Sequence, residues 1–175
     1  MITKKETKWY QDEKYIIELE VISNGMTGKQ WYEKFSQAGY SLGQEYTVSA
    51  CGVPHLLKEP QFNEGISNGI KYQLLIMKGL AFRGSHLFFD DVREEASRRG
   101  YSYVHPETAC LVLDLWGKKG IEEHSMDGVI AMTEKLSRSL SITTTSLGEQ
   151  LYITDVPMDR ADPNHCTQGF MFQRK

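Results

Sequence analysis

Between Lys14 and Ile22 the chain alternates: Tyr15, Ile17, Leu19 and Val21 fall on one side, and Ile16, Glu18, Glu20 and Ile22 on the other. A period of two, with one greasy and one mixed face, predicts a half-buried strand. Asn24-Gly25 interrupts it, and the period then lengthens. Thr27 and Gln30 carry the spacing of a capping box, with Met26 placed to staple onto Trp31, and Trp31, Phe35 and Ala38 follow at helical spacing. Gly39 supplies the left-handed residue that ends this helix, and Tyr40 is placed to fold back on Phe35 as in a Schellman cap.

The stretch from Ser41 to Gly69 holds two prolines and several glycines and reads mostly as loop, with a short strand at Tyr46-Thr47-Val48. So long a connection in a compact domain often has a task of its own. Tyr72 to Met77 is a continuous apolar run that reads as a buried strand, and Leu80-Ala81-Phe82 leads to a turn at Arg83-Gly84-Ser85. Asp91 and Glu94 repeat the capping spacing, so a surface helix is expected over Asp91 to Arg99, closed by Gly100. Pro106 suits the first residue of a helix, and Glu107 suits its positive end. From there to Trp116 the apolar residues surround the axis, which predicts a buried helix.

Beyond Gly120 the period returns to two: strands are expected at Gly128 to Met132, Leu140 to Thr145, Gln150 to Asp155 and Gly169 to Phe172, with a turn at Ser146 to Glu149. Helices in the middle and strands toward both ends predict an α+β fold, a largely antiparallel sheet with about three helices packed on it. The segments Glu33 to Ser41 and Glu94 to Ser102 share five of nine residues. A Gly followed by a packing aromatic is the general way to end a helix, and cap physics explains the match better than duplication.

At 175 residues the chain is long enough for one domain, 1–175, with a core that needs no metal or disulfide, and 1–11 is read as flexible. A net charge of -3 gives no general attraction to nucleic acid or anionic membrane. Cys51, Cys110 and Cys166 lie far apart with no CxxC pair, so no disulfide framework or zinc ribbon is indicated, and a reducing cytoplasm fits. No run of apolar residues approaches the roughly 20 needed to span a bilayer. The polar, Lys-rich first residues do not resemble an export signal.

The search for chemistry yields little. No Gly-rich phosphate loop, GxSxG elbow, HExxH pair or EF-hand loop is present, and no cofactor or metal site is expected. Of the five histidines, His55, His86, His105, His124 and His165, none is paired at helical spacing with another ligand-type residue. The best catalytic set joins His105 and Glu107 at a helix entry with His124 and Asp127 before the next strand, the imidazoles exchanging protons while a carboxylate fixes their tautomer. The simpler reading makes His105 a cap, Glu107 a complement to the helix dipole, and His124 and Asp127 solvated loop residues. Cys110 reads as a small hydrophobe rather than a nucleophile.

For nucleic acid, Arg93, Arg98 and Arg99 share one helix, with Tyr101 and Tyr103 beside them as stacking surfaces. Asp90, Asp91, Glu94 and Glu95 share that helix too, so it is not net basic, and nucleic-acid binding is not indicated. A charged, solvated face explains the arginines equally well.

Met26-Thr-Gly-Lys-Gln-Trp31 with Gly39-Tyr40, Ile70 to Gly79, Ala96 to Tyr101, Pro106-Glu107 with Ala109-Cys110-Leu111, Val129 to Met132 and Gly169-Phe170-Met171-Phe172 together resemble small proteins of bacteriophages, prophages and other bacterial mobile elements. Those proteins tend to carry a His-Glu-Pro-like turn after the Met132 strand, where this chain has Thr133-Glu134-Lys135. The resemblance implies a bacterial or phage cytoplasmic setting and no catalytic activity. The expectation that follows is a non-enzymatic cytoplasmic accessory protein that binds a host protein or itself, through 41–69 and 83–89. A small hydrolase or nuclease and a nucleic-acid-binding domain are the alternatives.

Overall fold

The computed structural model describes residues 15–42, 57–82, 89–133, 139–144, 151–156 and 167–175. In chain order these form β1 (Ile16–Ile22), α1 (Gly28–Gln37), β2 (Ser41–Leu42), α2 (Pro60–Asn63), β3 (Lys71–Lys78), a 3-10 turn (Gly79–Ala81), α3 (Phe89–Arg98), β4 (Tyr101–Ser102), α4 (Glu107–Glu123), β5 (Gly128–Ala131), β6 (Ser139–Thr144), β7 (Leu151–Val156) and β8 (Gln168–Arg174). The strands make one mixed sheet in the order β1-β3-β8-β5-β6-β7-β2, with β4 pairing the far end of β8. All its pairings are antiparallel except β5 with β8 and β2 with β7. The fold is α+β, as the order of elements predicts.

Each face of the sheet carries a core. On one, Trp31 and Phe35 of α1 and Ala109, Val112 and Leu113 of α4 pack on Tyr72, Leu74 and Ile76 of β3. On the other, Val92 and Ala96 of α3 pack on Leu75 and Met77 of β3 and Phe170 and Phe172 of β8. Successive strand residues point to opposite faces, so a strand covered on both sides must be apolar at nearly every position. This is the physical origin of the Leu74-Leu75-Ile76-Met77 run, all four of which are buried.

The α1 helix begins and ends as its caps dictate. Thr27 and Gln30 exchange both bonds of the capping box. At the exit Gly39 takes φ +80, Tyr40 N–H donates to the Phe35 carbonyl at 3.0 Å and Gly39 N–H to the Ser36 carbonyl at 3.2 Å. These are the two bonds of a Schellman cap, and the Tyr40 ring meets Phe35 edge-on at 5.4 Å.

Three expectations need correction. α3 starts at Phe89 rather than Asp91, which puts Asp90 and Asp91 inside the first turn, where they complement the dipole instead of capping it. The helix expected to stop at Trp116 resumes beyond it: Gly117 adopts φ 54 and ψ -161, a break that only a glycine makes cheaply, and helical turns continue to Glu123. Its enclosure is also incomplete, since Leu115 is 62% exposed, while Ile121 beyond the break is buried in the core again. Within the expected loop, Pro60–Asn63 forms one helical turn that buries Phe62. The expectations for 1–11, the Tyr46 strand, and the turns at 83–85 and 146–149 lie outside the described residues. No helix among the described residues is long and apolar enough to cross a membrane.

Candidate functional site

The four residues of the expected catalytic set occupy opposite ends of α4. At its start His105 lies beside Glu107, whose carboxylate is completely buried: it accepts from Ser23 Oγ at 2.8 Å and from the Tyr72 hydroxyl at 3.3 Å. At its end His124 tilts against Trp116, ring centroids 4.7 Å apart, and its carbonyl accepts from Lys78 Nζ at 2.5 Å. Strand β3 measures the separation, because Tyr72 reaches the first pair and Lys78 the second. Six residues of extended chain span about 20 Å, several times the reach of a proton transfer. His105 meets Glu107 through the Glu107 backbone N–H, His124 and Asp127 are neighbours only along the chain, and the two pairs are not joined.

The chemistry at the first pair is that of a clip. His105 Nδ1 accepts the Glu107 backbone N–H at 3.2 Å, so that nitrogen carries no proton and Nε2 is left to donate to the Glu64 carbonyl 2.8 Å away. The ring therefore caps α4 from one residue before Pro106, which contributes no side-chain bond itself. Beneath it, burial first and then the charge and hydrogen bond of Glu107 push the Tyr72 phenol up to about 12. Cys110, one turn further on, is driven well above its ordinary value by burial, with Glu107 and Asp114 adding to it. A thiol held protonated is a poor nucleophile, in keeping with its reading as a small hydrophobe. Ser23 and Tyr72 were invisible as partners in the sequence, since each is brought to Glu107 by the sheet.

The arginines of α3 also part company. Glu95 is 6% exposed, set between Val92 and Ala96 on the buried face of the helix. Its carboxylate pairs with both Arg98, at 2.7 Å, and Arg99, whose Nε donates to it at 3.0 Å. These two cations are committed to keeping a buried carboxylate compensated. Arg93 points elsewhere.

Arg93 lines a recess of about 330 Å³ between α3, β4 and the end of β8, together with Glu94, Ser97, Tyr101, Ser102, Tyr103, Phe172 and Lys175. Phe172 and Tyr101 are buried and supply an apolar floor. The Arg93 guanidinium lies 5.9 Å from the centre of the Tyr103 ring, and its Nη1 donates to Asp90 at 2.7 Å. Its Nε is shielded from solvent with no hydrogen-bond partner among the described residues. The Tyr101 hydroxyl is turned away, donating to Glu18 at 3.1 Å, and burial and that carboxylate raise its pKa. Sequence reasoning picked out Arg93, Tyr101 and Tyr103 but missed Ser97, Ser102, Phe172 and Lys175. Ser97 lies on α3 itself, whereas Ser102 and Phe172 come from β4 and β8 and Lys175 follows β8, and no local pattern announces that pairing.

Among the described residues no three His, Cys, Asp or Glu side chains are grouped to hold a metal ion. His55, His86, His165, Cys51 and Cys166 lie outside the described residues, as does most of the surface expected over 41–69 and 83–89. Set against known protein-family models, curated proteins and solved structures, the chain matches none of them.

Proposed function

We propose that this protein acts by binding a partner rather than by transforming a substrate, and that the recess beside Arg93 is where the partner docks. In this reading it is a cytoplasmic accessory protein of a phage or mobile element, and the partner is a host protein that presents an anionic group. One observation carries the reading: the recess gathers a cation, aromatic rings and two serine hydroxyls from α3, β4 and β8 around a single apolar floor. Few polar groups converging on an apolar cavity are the usual makeup of a binding site. The hydrolase alternative has no comparable convergence, its two halves being about 20 Å apart along β3. The nucleic-acid alternative loses two of its three cations to Glu95.

The test fills the recess without touching its floor. Ser97 is exposed on α3, so Ser97→Trp leaves the core intact while occupying the cavity. A partner captured from bacterial lysate by the wild type and lost with Ser97→Trp, at equal melting temperature, supports the reading. Equal capture by both moves the docking site off the recess. A strict monomer that captures nothing sinks partner binding altogether, and wild-type dimers abolished by Ser97→Trp would make the occupant a second copy of the chain.

A further inference from the structure

Resting on that reading, we infer that the recess receives an oxyanion, a carboxylate or phosphate, borne on one flat ring, and that Asp90 is its built-in competitor. Size comes first. A volume of about 330 Å³ sits at the small end of the range for ligand cavities, roughly 300 to 1,000 Å³, enough for one ring and its substituent. The floor and wall are set by Phe172, Tyr101 and Tyr103, so the body of the ligand is apolar and planar. The donors are Arg93, Lys175 and Ser97, while Ser102 directs its hydroxyl proton to the Gln173 carbonyl and Glu94 opposes them from an exposed position.

Arg93 is already engaged, and how it is engaged matters. Asp90 reaches Nη1 at 2.7 Å, yet its own side chain is 91% exposed. An ion pair so open to water is weak, because solvent screens it and the side chains lose freedom in holding it. An oxyanion in the recess meets the same guanidinium over the buried floor of Phe172 and Tyr101, where a planar fork can donate two parallel bonds. Once Asp90 lets go the guanidinium is free to turn, and its buried Nε gains the acceptor it now lacks. Asp90 thus holds the guanidinium from outside the recess in the empty protein, and the ligand binds by drawing Arg93 away from it.

The experiment is a titration of the full chain, followed by backbone amide shifts, with benzoate, phenyl phosphate, inorganic phosphate and the neutral benzyl alcohol. Benzoate or phenyl phosphate should shift amides of α3 and β4, and which binds more tightly assigns the acid group. Inorganic phosphate and benzyl alcohol should each bind at least tenfold more weakly. Arg93→Gln should cost about tenfold or more, the loss expected for a charge-assisted bond. Asp90→Asn, a change at an exposed residue, should tighten binding about two- to fivefold by removing a competitor worth under about 1 kcal/mol. Benzyl alcohol binding as well as benzoate, or Asp90→Asn leaving affinity unchanged, overturns the inference even if Arg93→Gln fails to fold. Partner capture lost on Ser97→Trp would still stand in that case, which separates a wrong ligand class from a wrong docking site.

Discussion

Ser23, the first residue after β1, donates its hydroxyl to the buried carboxylate of Glu107 at the start of α4, 2.8 Å across a sequence separation of 84. Tyr72 donates to the other carboxylate oxygen, so β1, β3 and α4 are tied at one point. Ser23→Ala leaves one lobe of a buried charge without its donor, and the expected loss is about 1 to 3 kcal/mol in urea unfolding. Glu107→Leu combined with Ser23→Ala and Tyr72→Phe removes the carboxylate together with both of its donors and should recover part of that loss. A Ser23→Ala protein as stable as the wild type would mean that the clip is ornamental.

Alkaline pH provides a second probe of the same point. Burial and Glu107 raise the Tyr72 phenol from 10.0 to about 12, so folding favours its protonated form. This contribution is complete below pH 10.0 and is lost as pH rises toward 12, where the unfolded chain releases the proton and the folded one resists. At about 1.4 kcal/mol per pKa unit, the decline across that window approaches 2 to 3 kcal/mol. Tyr72→Phe should flatten it, and the difference in tyrosinate absorbance between the two proteins should place one phenol in the upper part of the window. An unchanged slope in Tyr72→Phe would assign the alkaline loss elsewhere.

Gly28, at the start of α1, packs against the backbone of the segment before α2. A Cβ there would sit 1.7 Å from the Leu57 carbonyl oxygen, a clash with backbone that no rotamer relieves. Gly28→Ala should therefore destabilise by about 1 to 3 kcal/mol or more, and it should expose 57–63 to protease. Asn63→Ala, which removes the acceptor of the Gly28 N–H bond at 2.9 Å, should cost about 1 kcal/mol without the clash. Wild-type proteolysis of Gly28→Ala would refute the close approach.

The pairing of Arg98 and Arg99 with Glu95 makes a prediction about nucleic acid. The wild type should bind single-stranded DNA weakly even at low salt. Glu95→Gln frees two cations and should create non-specific binding whose affinity falls with salt at a log-log slope of about -1.4, the value for two phosphates. Tight, salt-sensitive binding by the wild type would reinstate a role that the ion pairs argue against.

Local signals in the sequence placed the local structure well. The Thr27 and Gln30 box, the Gly39 cap and the two-faced β3 run were readable because each is decided by neighbours within a few residues. The helix is expected to end at Trp116 because its apolar run stops there, and the turns that resume beyond Gly117 hold Ile121 alone among polar and glycine residues, too little to signal a helix. Glu107 was read correctly as a helix-entry residue, but its burial depends on Ser23 and Tyr72, which only the sheet brings near. The recess was half visible in Arg93, Tyr101 and Tyr103, and its remaining wall waited on the pairing of β4 with β8.

That pairing pattern also sets a timetable. β8 lies between β3 and β5 and also holds β4, so the β1-β3 pair and the β5-β6-β7-β2 group share no edge until residues 168–174 take their place. A chain emerging from the ribosome must hold two unfinished half-sheets until that strand is made. Such distant pairing slows folding and leaves open strand edges in the interval, so synthesis of this protein has a vulnerable period in which chaperones matter most.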